Sequence, residues 1–172
     1  MHALRRPETF PGPPSWKGLR VVLRMFRYVG TEQDDPMSSQ TGPLGTYTAW
    51  VVGRRGDAYV ARRLFWDPRP ERNATDPALS LAQVDLAAAD FGPRLARLHA
   101  LRLPAFVPEP SGPGPGTTRG IEYGSFWSGS TFHWFLELPT EWSALGGWWT
   151  DAVEVIESAL VAAGHTRAPE RL

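Results

Sequence analysis

Residues 118–139 contain the pattern that most constrains how this chain can fold. Two runs rich in aromatic and β-branched residues flank Ser128 and Gly129, and a Ser-Gly pair between such runs is typical of a chain reversal. The pattern predicts a β-hairpin with a two-residue loop, in which Tyr123 lies opposite Trp134. Because side chains alternate along a strand, one face of this hairpin is apolar and aromatic, and we expect it to face the core.

The other face of the predicted hairpin carries a candidate acid/base cluster. His133 shares that face with Glu122 and Glu137, and Glu122 is predicted to lie opposite Phe135. A carboxylate beside an imidazole can orient it as a general base. The hairpin offers no oxyanion site or substrate holder, so we favour the alternative, a solvated strand face with an incidental histidine.

Composition and motifs exclude several function classes. The 172 residues include no cysteine, which excludes disulfides, zinc–thiolate sites and thiol catalysis. No phosphate-binding glycine loop or nucleophile elbow occurs, and the four histidines have no ligand spacing, so we expect no cofactor and no metal site. The length fits one domain that can bury its own core.

The ends of the chain read as peripheral segments. Residues 1–18, rich in Pro and Gly, are expected to form an arm with no secretory signal, and residues 165–172 a tail after a single domain over 19–164. No apolar stretch could cross a membrane, so we expect a cytoplasmic protein. The segments 30–45 and 107–118 are predicted to be long loops.

Four further strands and two helices follow from periodicity. Residues 19–29 and 81–86 are strand candidates, and 46–53 with 58–66 form a second hairpin that turns at 54–57, where Gly56 supplies a positive φ. With a loop at 55–56, Val51 lies opposite Val60. Both faces of these two strands are apolar, which predicts inner strands covered on both sides.

Residues 87–101 are predicted to form the first helix, with its start moved to about Asp90 or Phe91 because Pro93 is tolerated only in a first turn. The last helix has an apolar stripe from Leu145 to Ala163 and ends at a C′ glycine, Gly164. Its polar positions, predicted to face solvent, are Asp151, Glu154, Glu157 and Ser158.

This order of elements predicts an α+β domain. Its sheet is expected to be mostly antiparallel with five to six strands, and the two amphipathic helices are expected to pack on one face.

Two sets of residues are candidate binding contacts. The arginines Arg54, Arg55, Arg62 and Arg63, with Arg20 and Arg24 in a row on the first strand, could neutralise a nucleic-acid backbone. The alternative is surface pairing with the acidic second half, since residues 1–72 carry a net charge of +5 and residues 73–172 a net charge of −5. We favour pairing, because a pI near 6.9 is unlike that of typical nucleic-acid binders.

The second set is Trp142 and Trp149. Neighbouring Trp148 and Trp149 cannot both face a core squarely at helical spacing, so one could anchor a protein partner. The simpler interpretation is that both pack on the sheet.

A resemblance covers about the last 80 residues. The segments 98–104, 120–129 and 134–142, followed by the closing helix, resemble small uncharacterised bacterial α+β proteins, some of them similar to immunity proteins of toxin systems. The resemblance implies a non-enzymatic protein that binds and blocks a toxin, and it carries over no functional residue. The expected function is therefore protein binding, with nucleic-acid association and a small enzyme centred on His133 as alternatives.

Overall fold

The structure is a computed structural model that describes residues 19–29, 46–66, 79–102, 117–123, 130–135 and 140–168. The predicted arm, 1–18, lies outside the described residues, as do 30–45, 103–116 and 169–172. The elements, in chain order, are β1 (Arg20–Val29), β2 (Thr46–Arg55), β3 (Ala58–Trp66), β4 (Leu79–Leu86), α1 (Ala88–Ala100), β5 (Thr117–Tyr123), β6 (Ser130–Phe135), a 3-10 turn (Thr140–Trp142) and α2 (Ser143–Ala162).

Strands β1 to β4 form an open antiparallel sheet in the order β4-β3-β2-β1, and β5 and β6 pair in turn beyond β1. The predicted α+β class, with an antiparallel sheet and two helices, is confirmed. The 81–86 candidate is the edge strand β4, which begins two residues earlier than predicted.

Both helices pack on one face of this sheet, which we call the helix-covered face. The main core lies between them, built from Leu23, Met25, Trp50, Val52, Tyr59 and Ala61 of the strands, Phe91, Leu95 and Leu98 of α1, and Leu145, Trp148, Trp149, Ala152, Ile156 and Leu160 of α2. A smaller cluster of Phe26, Tyr47, Ala49 and Leu64 lies on the opposite face. The predicted burial of β2 and β3 on both faces is confirmed.

The two hairpins have the predicted alternation but not the predicted register. In β2–β3 the turn is at Gly56 and Asp57, so Val51 lies opposite Arg62 and not Val60. Gly56 has a φ of 57°, as its place in the reversal required. In β5–β6 Glu122 pairs with Thr131. The shifts are two and four residues, and even shifts leave every side chain in its original alternating set.

A bulge in β1 overturns the predicted row of Arg20 and Arg24. The register with β2 shifts between Val21 and Leu23, so Arg20 pairs with Arg54 while Arg24 pairs with Val51. One extra residue in a strand moves all later side chains to the other face. Arg20 is therefore exposed on the helix-covered side, whereas Arg24 is half-buried on the opposite face.

Helix α1 starts earlier than its proline predicted. It begins at Ala88, so Pro93 lies in the second turn and not in the first. A proline cannot donate to the carbonyl four residues earlier, here that of Ala89. Ala89 and Pro93 are both exposed, so this carbonyl lies on the side where water can replace the missing donor. Its apolar side chains Phe91, Leu95 and Leu98 share one side of the helix and are buried.

Helix α2 ends as predicted. Gly164 has a φ of 88°, its amide donates to the Val161 carbonyl, and the His165 amide donates to the Leu160 carbonyl. This pair of bonds is a Schellman motif, which satisfies carbonyls that would otherwise lack donors. One prediction for this helix was wrong: Glu157, assigned to the solvent side, is buried.

Candidate functional site

The most unusual group of residues in the described structure is a buried polar cluster centred on Glu157 of α2. Its side chain is about 3% exposed, and both carboxylate oxygens accept hydrogen bonds. Oε1 accepts from the indole Nε1 of Trp50 at 2.6 Å, and Oε2 accepts from Nη1 of Arg63 at 2.7 Å and from the Ala168 amide at 3.0 Å. Glu157 therefore joins the helix, two central strands and the C-terminal segment.

Arg63 completes the cluster from β3. Alternation along β3 puts Tyr59, Ala61 and Arg63 on the helix-covered face, which brings the guanidinium beneath α2. Nη1 binds Glu157, and Nη2 donates to the Thr166 carbonyl at 2.8 Å. Nε is buried without a protein acceptor. The guanidinium is therefore held by one carboxylate and one backbone carbonyl.

Residues 165–168, which we call the C-terminal strap, are part of this cluster. The Thr166 carbonyl and the Ala168 amide bind Arg63 and Glu157, and Ala168 is buried in the main core. Arg167 forms an ion pair with Glu154 on the outer side of α2. The first four residues of the predicted tail thus fold back along the helix and contact the core.

The energetics of this cluster favour a structural role. Taking two charges out of water costs several kcal/mol per ion, and the pair is stable only where the remaining hydrogen-bonding capacity is met. Removing one partner of such a pair typically costs about 3–5 kcal/mol. Because Glu157 is almost completely buried and accepts three hydrogen bonds, its carboxylate joins the surrounding elements and does not face solvent.

Aromatic contacts surround the cluster. The Trp50 ring meets Trp149 edge-on, with centroids 5.7 Å apart, and the Arg27 guanidinium lies 5.7 Å from the Trp50 ring centroid. A cation above an indole ring adds electrostatic attraction to the packing. Trp50 is therefore held by Glu157, Trp149 and Arg27 together.

The predicted arginine set does not form one surface. Arg54 and Arg55 are exposed at the β2–β3 turn, but Arg62 and Arg63 are buried. These two neighbours point to opposite faces, where Arg62 binds Gln83 through Nε and Nη2 and Arg63 binds Glu157. Burial removes Arg62 and Arg63 from the surface that a nucleic acid or protein could contact.

Arg54 is positioned by its own turn. Its Nε donates to the Gly56 carbonyl at 2.6 Å, its Nη2 contacts Asp57 at 3.3 Å, and its guanidinium lies 5.6 Å from the Tyr59 ring centroid. Arg20 is exposed and lies opposite Arg54 in the register of β1 and β2. We call Arg20, Arg54 and Arg55 the basic turn.

The two predicted tryptophan contacts are also buried. Trp142 and Trp149 both lie in the main core, as does Trp148, whose indole nitrogen donates to the Arg94 carbonyl at 2.7 Å. The simpler interpretation therefore describes their placement: Trp148 and Trp149 both pack inside. The rings of Trp142 and Trp149 are therefore not accessible to a protein partner.

The acid/base cluster of the β5–β6 hairpin is described only in its backbone. Glu122 pairs with Thr131 and His133 with Gly120, so Glu122 and His133 occupy diagonal positions. Glu137 lies outside the described residues. No group of three or more His, Asp or Glu side chains in the described ranges is placed to hold a metal ion.

Among the described residues, one buried ion pair joins the two halves of the chain, whereas the prediction placed such pairing at the surface. Arg63 belongs to the basic half and Glu157 to the acidic half. The ion pairs of Asp151 with Arg94 and Arg97 instead join α1 to α2 within the acidic half. Periodicity could not reveal the buried pair, because its members are 94 residues apart and both belong to a residue type that usually faces water.

No family model, curated protein or solved structure matches this chain significantly. Among the described helices, none combines the length and apolar character needed to span a bilayer. The fold and the cluster thus define an α+β protein whose helix layer and sheet are joined by a buried ion pair.

Proposed function

We propose that this chain is a non-catalytic protein-binding domain of the immunity type, which binds a bacterial toxin and blocks it. The observation that carries the proposal is the burial of Glu157 together with its three hydrogen bonds, from Trp50, Arg63 and Ala168. The most deeply buried carboxylate of the described structure holds secondary-structure elements together. We therefore place the function of the protein on its surface. The proposal also includes a cytoplasmic location and a sheet of five to six strands.

The basic turn is the contact surface that we assign to this function. Arg54 and Arg55 project from the end of the β2–β3 hairpin towards opposite faces of the sheet, and Arg20 lies beside Arg54, so a partner that contacts all three binds across the tip of the hairpin. Directly opposed like charges on neighbouring strands repel each other, and an acidic partner relieves that repulsion. Hydrogen bonds of Arg54 to Gly56 and Asp57 restrict its side chain before binding, which lowers the entropy lost on association. The partner is therefore expected to present carboxylates.

The test is titration calorimetry with the product of the reading frame that neighbours this gene. We expect binding without turnover, and Arg55→Glu should weaken it about tenfold, since reversing a charge in an interface adds repulsion to the lost attraction. Arg102→Glu is the matched control, because Arg102 is also exposed but follows the far end of α1. Equal affinities of wild type and Arg55→Glu would remove the basic turn from the interface.

Two further measurements address the alternatives. Binding to single-stranded DNA that weakens steeply with salt, in a chain that binds no neighbouring protein, would replace the proposal with nucleic-acid association. A His133→Ala variant that loses its function while remaining folded would instead favour an enzyme. We expect neither result, because Arg62 and Arg63 are engaged inside the protein.

A further inference from the structure

Strand β4 ends the sheet with one edge unpaired. All eight of its residues pair with β3, from Leu79 with Trp66 to Leu86 with Tyr59, and within the described ranges no strand pairs on its other side. In an antiparallel strand, alternate residues direct their N–H and C=O groups to opposite edges. The outer edge of β4 therefore presents a row of backbone donors and acceptors.

This edge lacks the features by which proteins usually prevent strand addition. Natural edge strands are shortened, bulged, or interrupted by proline and lysine. Strand β4 has eight residues, contains neither Pro nor Lys, and keeps one continuous register with β3. Its single charged residue, Asp85, lies next to its end. Nothing in the sequence of β4 opposes pairing with another strand.

Apolar side chains remain partly exposed along both faces of this edge. Leu81 packs against the Phe26 and Leu64 cluster on the opposite face, and Val84 packs against the main core on the helix-covered face. Both are only half-buried. A strand added in the plane of the sheet would shield apolar surface on both faces at once.

We propose that β4 pairs antiparallel with β4 of a second copy of this chain, about a twofold axis perpendicular to the sheet. This axis keeps each face of the sheet continuous, so the Leu81 side meets the Leu81 side and the Val84 side meets the Val84 side. In a pairing centred on Ala82 or Gln83, the two Asp85 residues are separated by roughly 13–20 Å along the strands, so they do not oppose each other.

Charge and rigidity also favour a second copy as the occupant. The chain has a formal net charge of zero at pH 7, so two copies approach without long-range repulsion. The centre of β4 is fixed to β3 by Arg62, whose Nε and Nη2 donate to the Gln83 Oε1 at 3.2 and 2.8 Å. A strand that is already ordered loses little entropy when it pairs.

The first measurement is the mass of the full chain by sedimentation equilibrium over a range of concentrations. We expect a dimer of the 19.1 kDa chain that dissociates to that mass in Ser80→Lys, because Ser80 is exposed on β4 and a charged lysine on an edge strand loses hydration when another strand pairs beside it. Ser143→Lys, an identical change at an exposed position of α2, should leave the dimer intact. A wild-type chain that sediments as a monomer throughout overturns the proposal.

Amide hydrogen exchange of the wild-type chain tests the same edge without a substitution. In the dimer, both alternate sets of β4 amides should exchange slowly, and dilution should release one set while the amides bonded to β3 stay protected. A dimer whose outward β4 amides exchange quickly would use another surface and contradict the proposal. A monomer with all β4 amides protected would show that the chain covers its own edge, which also contradicts it.

Discussion

The indole nitrogen of Trp50 donates a 2.6 Å hydrogen bond to the carboxylate of Glu157, a residue 107 positions later in the chain. The bond joins the centre of the sheet to the C-terminal half of the last helix, and both side chains are buried. It is one of three bonds to the same carboxylate, and the predictions for stability begin from it.

Replacing Trp50 with phenylalanine removes this donor. We expect Trp50→Phe to lower the free energy of unfolding by about 2–4 kcal/mol, since a buried carboxylate oxygen loses its partner and the smaller ring leaves unfilled space. Urea denaturation measures the change. Trp66→Phe is the control, because Trp66 is half-buried on the opposite face. An equal or smaller cost for Trp50→Phe would mean that the bond to Glu157 contributes nothing.

The C-terminal strap should be necessary for full stability. A chain that ends at Gly164 lacks the Thr166 carbonyl and the Ala168 amide, which leaves Arg63 and Glu157 each with one partner fewer. We expect a loss of about 2–5 kcal/mol, measured by urea denaturation, because buried charged groups would lose hydrogen bonds. A chain that ends at Ala168 keeps every described contact of the strap and should match wild type. Equal stability of both truncated chains would contradict this role.

The sequence predicted side-chain alternation better than strand register. Both hairpins kept the predicted alternating sets although their registers moved by two and four residues, because an even shift leaves each residue in its original alternating set. The hydrophobic pattern therefore determines which face of the sheet a side chain occupies, while turn geometry determines which residue lies opposite it on the neighbouring strand. The bulge at Val21 and Leu23 gave no comparable signal, and it separated Arg20 from Arg24.

The buried cluster could not be predicted for a different reason. Glu157 and Arg63 are charged, and periodicity assigns charged residues to solvent. Their burial depends on each other and on the strap, which are tertiary contacts between distant positions. A buried charge next to apolar neighbours, as in Val155-Ile156-Glu157, becomes interpretable only when its partner is known.

A glycine inside α2 and the glycine just beyond its end should respond to alanine in opposite directions. Gly164→Ala forces a side chain into a φ of 88° and should cost about 1 kcal/mol. Gly147→Ala lies inside the helix, where an added Cβ meets nothing within 4 Å, and should stabilise the protein by about 0.5–1 kcal/mol. Thermal unfolding of the two variants separates these effects, and a shift in the same direction for both would contradict the conformations assigned to them.

The pKa of the Glu154 carboxyl should lie below its usual value. A hydrogen bond from Arg167, opposed by partial desolvation and assisted by Ser158, lowers the pKa of Glu154 below its usual 4.5. Because the folded pKa is below the unfolded one, this pair stabilises the protein above about pH 4.5 and loses that contribution as pH falls through the folded pKa.

The Glu154–Arg167 contribution should be small, since both side chains are largely exposed. Carbon-13 NMR of Glu154 measures the pKa, and Arg167→Gln should raise it towards the usual value. An unchanged pKa in that variant would exclude Arg167 as the cause.

The most direct test of the central claim, that Glu157 and Arg63 act as one structural unit and not as a reactive centre, is a double-mutant cycle in urea. We expect Glu157→Leu and Arg63→Met each to cost about 3–5 kcal/mol, because each leaves the other charge buried and unpaired. The double variant should cost less than the sum of the two, with a coupling energy of about 1–3 kcal/mol. Single costs that add to within about 0.5 kcal/mol would contradict the account.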